Sequence, residues 1–226
     1  MIEEDVMLAR VEMPERGLFT VRMPDPPEPA PKVGDEAVVN LDYGEDYCRV
    51  VDTAFYDPMR HGPRVPGFQI VRMLGERDRV TMQENRRLAG SMADMVARAA
   101  APNVPGLRIG YSRLSLGRTR LFLRFSADGQ RVDIRRYGAE VKRAYGVLLE
   151  AWQMGPRDEA ASMGCLGVCG RAACCATWQR RFPSGLSPDL ARRQGLPSNP
   201  STLNGTCGRF KCCLAFECGE CKEGGR

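Results

Sequence analysis

The residues with the clearest chemistry in this sequence are cysteines, which occur in two nearly identical seven-residue units. The first unit is CGRAACC at 169–175, and the second is CGRFKCC at 207–213. Each unit has a C-x4-C-C arrangement, with the thiols of Cys169, Cys174 and Cys175 in the first and of Cys207, Cys212 and Cys213 in the second. Thiolates ligate Zn²⁺ and iron–sulfur clusters, and both kinds of centre usually take four ligands. The repetition therefore predicts two metal centres, each lacking one ligand.

Three further thiols flank the two units. Cys165 precedes the first unit, and Cys218 and Cys221 follow the second. Either these residues complete the centres within the chain, or a partner chain contributes the fourth thiolate. A short helix is predicted between the units, because Ser187 suits its N-cap and Gly195 its C-terminal end.

Each leading cysteine is followed by a glycine and an arginine. Gly170 and Gly208 permit a tight turn whose N–H groups can point at sulfur. Arg171 and Arg209 are predicted to offset the negative charge of the thiolates or to donate hydrogen bonds to them.

The spacing favours an iron–sulfur cluster over zinc and leaves zinc open as the alternative. Structural zinc sites usually contain separated C-x2-C pairs, and only Cys218 and Cys221 have that spacing here. Adjacent cysteines reach a cluster of several irons more easily than a single ion. A thioredoxin-type redox site would need a C-x-x-C at the start of a helix in a βαβ frame, which this region lacks.

The sequence contains neither a signal-peptide pattern nor a membrane span. Its first residues, MIEEDVMLAR, are acidic, and no apolar run approaches the ~18 residues of a membrane helix. The expected location is the cytoplasm, where thiols stay reduced, so metal ligation is favoured over disulfides.

The excess positive charge of the chain lies with the cysteines. Residues 165–226 contain nine basic and four acidic side chains, a net +5 that equals the net charge of the whole chain. This charge either attracts nucleic acid or only offsets bound thiolates and faces solvent. The candidate phosphate contacts, close to Trp178 and Phe182, are Arg180, Arg181, Arg192 and Arg193.

The composition divides the chain into four segments. Residues 1–31 end in PDPPEPAP and are predicted to form an extended segment. Residues 32–68 contain two β-rich runs around the turn DYGED, which predict a small β subdomain in which Cys48 is buried. Residues 69–158 have the pattern of an α+β domain. Residues 159–226 contain too few aliphatic side chains for a core of their own and are predicted to need a bound metal.

The fold class predicted for the whole chain is α+β. In residues 69–158 the periodicity predicts a helix over Gln83–Ala100, two strands within 107–130 that turn near Gly117, a helix over Val132–Tyr145 and a strand at 146–155. This α-β-β-α-β order indicates helices that cover one face of a sheet.

Two stretches closely resemble the bacterial RicT (YaaT) family, whose members carry the polymerase-suppressor C-terminal domain. They are FSADGQRVDIRRYGAEVKRAYGVLLEAWQMGPRDEAASMGCLGVCGRAACCATW at 125–178 and NPSTLNGTCGRFKCCLAFE at 199–217. The match extends over roughly residues 33–217, and it assigns 69–158 to the polymerase-suppressor C-terminal type. Two departures are Cys165, where the family more usually has glycine, and the additional pair CGEC at 218–221.

The resemblance implies a cytoplasmic, non-catalytic regulatory subunit that works with two small helical partner proteins. It implies [4Fe–4S] clusters, association with a membrane-bound endoribonuclease, and a role in mRNA processing linked to sporulation, competence and biofilm programmes. Carried onto this chain, its ligand sets are Cys169, Cys174 and Cys175 for one cluster and Cys207, Cys212 and Cys213 for the other.

Three functional hypotheses follow. The first is an iron–sulfur regulatory or adaptor protein that acts on RNA processing. The alternative is a zinc-stabilised nucleic-acid-binding module. An enzyme is disfavoured, because the sequence shows no paired catalytic carboxylates, phosphate-binding glycine loop or nucleophile–base pair. Asp158 and Glu159, the acidic pair close to the cysteines, are explained as well by a hinge that ties the cysteine region to the sheet.

Overall fold

A computed structural model describes residues 6–24, 31–61, 64–128, 131–179, 183, 185–197 and 199–217. The described chain divides into two compact units, each built from several stretches of sequence. The first unit comprises Met1–Asn103, Tyr111–Leu123 and Asp133–Ala151, and the second comprises Val104–Gly110, Arg124–Val132 and Trp152–Arg226.

The first unit contains a closed five-stranded β-barrel. Its strands are β1 (Met7–Met13), β2 (Gly17–Arg22), β3 (Glu36–Leu41), β4 (Gly44–Phe55) and β5 (Gln69–Met73), in the spatial order β1-β2-β5-β3-β4. Strand β1 pairs antiparallel with both β2 and β4, and β5 joins β2 in parallel at Arg22 and Gln69. A one-turn helix, α1 (Pro58–His61), lies between β4 and β5.

The barrel corrects the prediction that residues 1–31 form a separate extended segment. Strand β1 buries Ala9, Val11 and Met13 in the same core as the residues of β3 and β4. Inside–outside alternation along β1 fixes this register, since a half-buried strand points alternate side chains inward. Cys48 is buried in that core, as predicted, and burial raises the pKa of its thiol to about 12.

A buried ionic cluster lies beside the barrel core. The guanidinium of Arg113 donates to both carboxylate oxygens of Asp46, each at 2.8 Å, and its Nε donates to Glu15 at 2.7 Å. The three side chains are only 9%, 0% and 3% exposed for Arg113, Asp46 and Glu15. Burial opposes the charge on Arg113, but the hydrogen bonds from the two carboxylates outweigh it and raise the pKa of the guanidinium.

Helix α2 (Glu76–Ala100) confirms the predicted helix but begins seven residues before Gln83. Its buried face includes Asn85, Ala89, Met92, Val96 and Ala100, at helical spacing. The earlier start arises at the N-terminal end, where the carboxylate of Asp78 accepts a hydrogen bond of 2.8 Å from the backbone N–H of Gly75.

The predicted α-β-β-α-β order is confirmed, and with it the α+β fold class. A 3-10 turn (Ala101–Asn103) follows α2, and a second (Arg135–Gly138) precedes the next α-helix. The elements after α2 are β6 (Arg108–Leu114), β7 (Arg120–Ser126), α3 (Ala139–Tyr145) and β8 (Leu148–Gln153). Helix α3 starts later than the predicted Val132.

The three strands form one sheet in the order β6-β7-β8. The backbone N–H of Leu148 donates to the carbonyl of Thr119, and that of Met154 donates to the carbonyl of Phe125. Both bonds have the same sequence offset, which indicates that β7 and β8 run parallel. Because each strand contributes residues to both units, the units do not divide at the predicted boundary of 158 and 159.

The remainder of the second unit has short helices separated by loops. They are α4 (Pro156–Ser162), α5 (Pro188–Arg193), α6 (Pro200–Leu203) and α7 (Cys213–Glu217). Helix α5 confirms the predicted linking helix, with Ser187 at its N-cap position and Gly195 at φ +67° just after its end. None of the described helices is both long enough and apolar enough to cross a membrane.

Candidate metal centre

The first cysteine unit forms a small hairpin with Cys169 at its tip. Leu166 and Ala172 form an isolated antiparallel bridge, and the N–H of Gly167 donates to the carbonyl of Arg171 at 2.8 Å. Gly170 adopts φ +77°, a left-handed conformation that a side chain would strain, so the tight turn predicted at this glycine is present.

The second unit repeats this hairpin 38 residues later. Asn204 and Phe210 form the equivalent bridge, and the N–H of Gly205 donates to the carbonyl of Arg209 at 2.8 Å. Gly208 adopts φ +72°. The two units are therefore repeats of one structural motif, which we call the thiol hairpin.

A backbone hydrogen bond ties the end of each thiol hairpin to the residue that precedes it. Ala173 donates to the carbonyl of Cys165 at 3.1 Å, and Lys211 donates to the carbonyl of Leu203 at 2.8 Å. Leu203 thus occupies the place of Cys165 in the second repeat, so the flanking thiol has no counterpart there. The Cys165 thiol donates to the carbonyl of Ala160 at 3.1 Å.

Both thiol hairpins face one cavity of about 230 Å³, the thiol cavity. It is lined by the thiol-bearing residues Cys165, Cys169, Cys174, Cys175, Cys207, Cys212 and Cys213. The side chains of Arg157 and Lys211 supply positive charge to the same lining. The structure therefore brings together seven of the nine cysteines of the candidate site, including all six of the two units.

Thiols of different repeats are close enough to influence one another. Burial raises the pKa of the Cys175 thiol, and the neighbouring Cys212 and Cys207 add to this increase, while Arg157 opposes it. Burial likewise raises the pKa of the Cys213 thiol, with further contributions from Glu217 and from Cys174.

The donor set suits a thiolate-ligated group, although the sulfur atoms are not yet gathered around one point. Within the described residues, no three His, Cys, Asp or Glu side chains are placed to hold a single metal ion. All seven cysteines of the cavity are unpaired thiols, and six of them are only partly exposed.

The arginines predicted to lie beside the thiolates occupy other positions. Arg171 and Arg209 are exposed and do not line the thiol cavity; their carbonyls close the thiol hairpins instead. The buried cation at the cavity is Arg157, which the sequence analysis did not identify and whose guanidinium donates to the carbonyl of Gln179. The sequence feature that could have identified Arg157 is its position in GPRDEA, next to the predicted hinge.

Glu159 has the structural role predicted for the hinge. Its Oε1 accepts hydrogen bonds from Ser126 at 2.8 Å and from Arg108 at 3.2 Å. These bonds connect α4 to the ends of β6 and β7 within the second unit.

The candidate nucleic-acid contacts are only partly described. Arg192 forms an ion pair with Asp189 at 2.9 Å, and Arg193 is exposed on the same helix. The ring of Trp178 packs against that of Phe216, with centroids 4.7 Å apart. Arg180, Arg181, Cys218 and Cys221 lie outside the described residues.

Comparison with known proteins agrees with the resemblance noted in the sequence. Residues 186–222 match the family described as "PSP1-like protein, third domain". The chain is 30% identical over 180 residues to the "Stage 0 sporulation protein YaaT" of Bacillus subtilis (strain 168). That alignment covers 80% of this chain and 64% of YaaT, so the chain spans somewhat less than two thirds of its relative. No solved structure matches significantly. The chain is therefore similar to YaaT over most of its own length, and its residues 186–222 are similar to the third domain of the PSP1-like proteins.

Proposed function

We propose that this chain is a non-catalytic, cytoplasmic regulatory protein that carries two [4Fe–4S] clusters on its paired thiol hairpins. The observation that carries the proposal is the convergence of seven thiols from both repeats on one cavity. The adjacent pairs Cys174–Cys175 and Cys212–Cys213 favour a cluster over a single Zn²⁺, because a cluster offers several irons to neighbouring sulfurs. Such a cluster supplies a one-electron redox centre.

The chain's own residues perform three tasks in this proposal. The cysteines supply thiolates, and the left-handed turns at Gly170 and Gly208 set the position of each hairpin tip. Burial raises the pKa of Cys175 and of Cys213, so their protons must be released on ligation. The buried guanidinium of Arg157 favours the deprotonated form of Cys175 and offsets the negative charge of a thiolate-ligated group.

The biological role that we propose is based on the similarity to YaaT. The name of YaaT describes a stage 0 sporulation protein, and we extend a role in developmental regulation to this chain. The role includes endoribonuclease-dependent mRNA processing together with small helical partner proteins. A surface suited to such partners surrounds the thiol hairpins, where several large apolar side chains are more than half exposed: Met163, Leu166, Val168, Trp178 and Phe216.

Metal and sulfide analysis after anaerobic purification tests the cofactor. We expect a brown protein that contains iron and acid-labile sulfide in equal amounts and whose visible absorption bleaches in air. The Cys174→Ala, Cys212→Ala double variant is expected to lose iron. The matched control Cys48→Ala removes a thiol from the barrel core and is expected to retain iron. A colourless protein with stoichiometric zinc would overturn the cluster and support zinc.

Complementation tests the role separately. We expect this chain to restore sporulation to a Bacillus subtilis strain that lacks YaaT, and we expect the Cys174→Ala, Cys212→Ala variant to fail. An iron-loaded chain that accumulates normally but restores nothing would refute the shared role and leave the cofactor standing.

A further inference from the structure

A second cavity, of about 370 Å³, lies within the first unit. We call it the arginine cavity, after Arg79, Arg86 and Arg113 in its lining. The lining comes from helix α2, strand β4, strand β6 and the turn that follows β6, and none of the described cysteines belongs to it. Clefts that bind small ligands measure ~300–1,000 Å³, so the size of this cavity suits one compact ligand.

Helix α2 presents a row of polar side chains to the arginine cavity. Arg79, Gln83 and Arg86 are four and three residues apart, and positions at this spacing share one face of a helix. The carboxylate of Glu36 pairs with Arg79 at 2.8 Å. In the part of the chain that the structure describes, Gln83 and Arg86 have neither a side-chain hydrogen bond nor an ion pair. Both side chains are exposed and are therefore available to a ligand.

The strands contribute two half-buried aromatic rings to the same lining. Tyr47 belongs to β4, and the guanidinium of Arg113 lies 5.1 Å from its ring centroid. Tyr111 belongs to β6, and its hydroxyl donates to Glu15 at 3.0 Å. Because Arg113 is itself bound by Glu15 and Asp46, both rings are held in place before any ligand enters. Aromatic rings in such a position serve as stacking surfaces for nucleobases.

The charged side chains that line the arginine cavity are all positive. They are the guanidinium groups of Arg79, Arg86 and Arg113, and no carboxylate of a described residue lines the cavity. Carboxylates outside the lining balance the charges of Arg79 and Arg113, whereas no described partner balances that of Arg86. A guanidinium of this kind suits a phosphate group, which accepts two parallel hydrogen bonds from it.

We propose that the arginine cavity binds a nucleotide. The base lies against the rings of Tyr47 and Tyr111, and Arg86 binds the phosphate with the Gln83 amide as a further donor. The nucleotide is either a free mononucleotide or one unstacked residue of a single-stranded RNA, because both offer the same base and phosphate. The site goes beyond the proposed function, since none of the candidate metal ligands that the structure describes lines it.

Binding to the full chain tests the site. The probes are the common ribonucleoside monophosphates, measured by isothermal titration calorimetry, and a short single-stranded RNA of mixed sequence, measured by fluorescence anisotropy. Arg86→Gln removes a hydrogen bond from a charged donor, so we expect binding to weaken by about tenfold or more. The matched control is Arg87→Gln, which should bind as tightly as the unsubstituted chain, because Arg87 is exposed on the same helix but does not line the cavity.

The two probes identify the source of the nucleotide. Tighter binding of the RNA than of the monophosphates, lost in Arg86→Gln, supports RNA as the ligand. Binding of a monophosphate as tightly as the RNA or more tightly, with the same dependence on Arg86, supports a free nucleotide. The proposal is overturned if neither probe binds. It is also overturned if the Arg86→Gln and Arg87→Gln variants bind equally well, because the nucleotide contacts then lie elsewhere on the chain.

A footprint on the unsubstituted chain does not depend on how the variants fold. Phenylglyoxal modifies exposed guanidinium groups, and peptide mass spectrometry identifies the modified arginines. We expect the bound probe to slow the modification of Arg86 and to leave that of Arg87 unchanged. Equal modification of Arg86 with and without the probe would contradict the site. Failure of the proposed cofactor looks different, because it is seen as an absence of iron and sulfide in the isolated chain.

Discussion

Replacement of Arg113 by methionine tests the buried ionic cluster of the first unit. Methionine keeps most of the side-chain volume but removes three described hydrogen bonds of 2.7–2.8 Å to Asp46 and Glu15. It also removes the stacking of the guanidinium over the rings of Tyr47 and Phe122, at 5.1 and 4.8 Å from their centroids. Two carboxylates are then left in a site from which water is almost absent.

The magnitude follows from that burial. Loss of one partner of a buried ion pair costs about 3–5 kcal/mol. Because two carboxylates lose their counter-ion together, we expect a fall of about 5 kcal/mol in the free energy of unfolding. This equals a large part of the ~5–15 kcal/mol that stabilises a typical domain. The matched control is Arg49→Met, since Arg49 is mostly exposed and lies 4.0 Å from Glu36, and its loss should cost less than ~1 kcal/mol.

Urea unfolding followed by far-ultraviolet circular dichroism measures these differences. A triple variant, Glu15→Gln, Asp46→Asn, Arg113→Met, removes all three charges and should recover much of the lost stability, because no uncompensated charge remains. The reasoning is refuted if Arg113→Met unfolds at the same urea concentration as Arg49→Met. It is also refuted if the triple variant is as unstable as Arg113→Met alone.

Three further predictions concern other parts of the chain. The hydrogen bond from Arg72, together with that from Gly75, lowers the pKa of the Asp78 carboxyl. The ionised carboxylate therefore stabilises the fold above pH ~4, and this stabilisation is lost as the pH falls through the lowered pKa. Asp78→Asn should therefore cost about 1 kcal/mol in urea unfolding at pH 7 and less at pH 2, and an equal cost at both would argue against the linkage. Gly208→Ala should lower the free energy of unfolding by ~1–2 kcal/mol and reduce metal content, because Gly208 has φ +72°. The control Gly205→Ala should retain metal, because its added Cβ meets nothing closer than 3.8 Å. Arg157→Met should lower the midpoint potential of the proposed centre by roughly 40 mV for one electron, which corresponds to a change on the order of 1 kcal/mol in the free energy of reduction. The exposed Arg171→Met should leave the potential unchanged. Equal potentials for the two variants in a redox titration would rule out the charge effect.

The elements defined by local sequence could be predicted. The hairpin around Gly44, the strands on either side of Gly117 and most of helix α2 follow from periodicity and turn residues within short windows. The thiol units were predicted for the same reason, because their spacing is local. Burial of Cys48 followed from its place in an apolar strand.

The features that depend on distant pairing could not be predicted. Strand β2 meets β5 through Arg22 and Gln69, and no local pattern links those positions. The partners of Arg113 are 98 and 67 residues away in the sequence. That both thiol hairpins face one cavity likewise depends on how the two repeats pack, which their nearly identical sequences do not determine.

The second unit is assembled from three separate stretches of chain, and this affects the order in which the protein can be made. Residues 104–110 and 124–132 leave the ribosome well before Trp152–Arg226, with which they form one unit. Until α4 is synthesised, Arg108 and Ser126 lack the Glu159 carboxylate to which they donate. The thiol cavity, whose lining begins at Arg157, can therefore form only late in synthesis. A fragment that begins at residue 152 lacks two of the three stretches, so excision would remove part of the framework that supports the thiols.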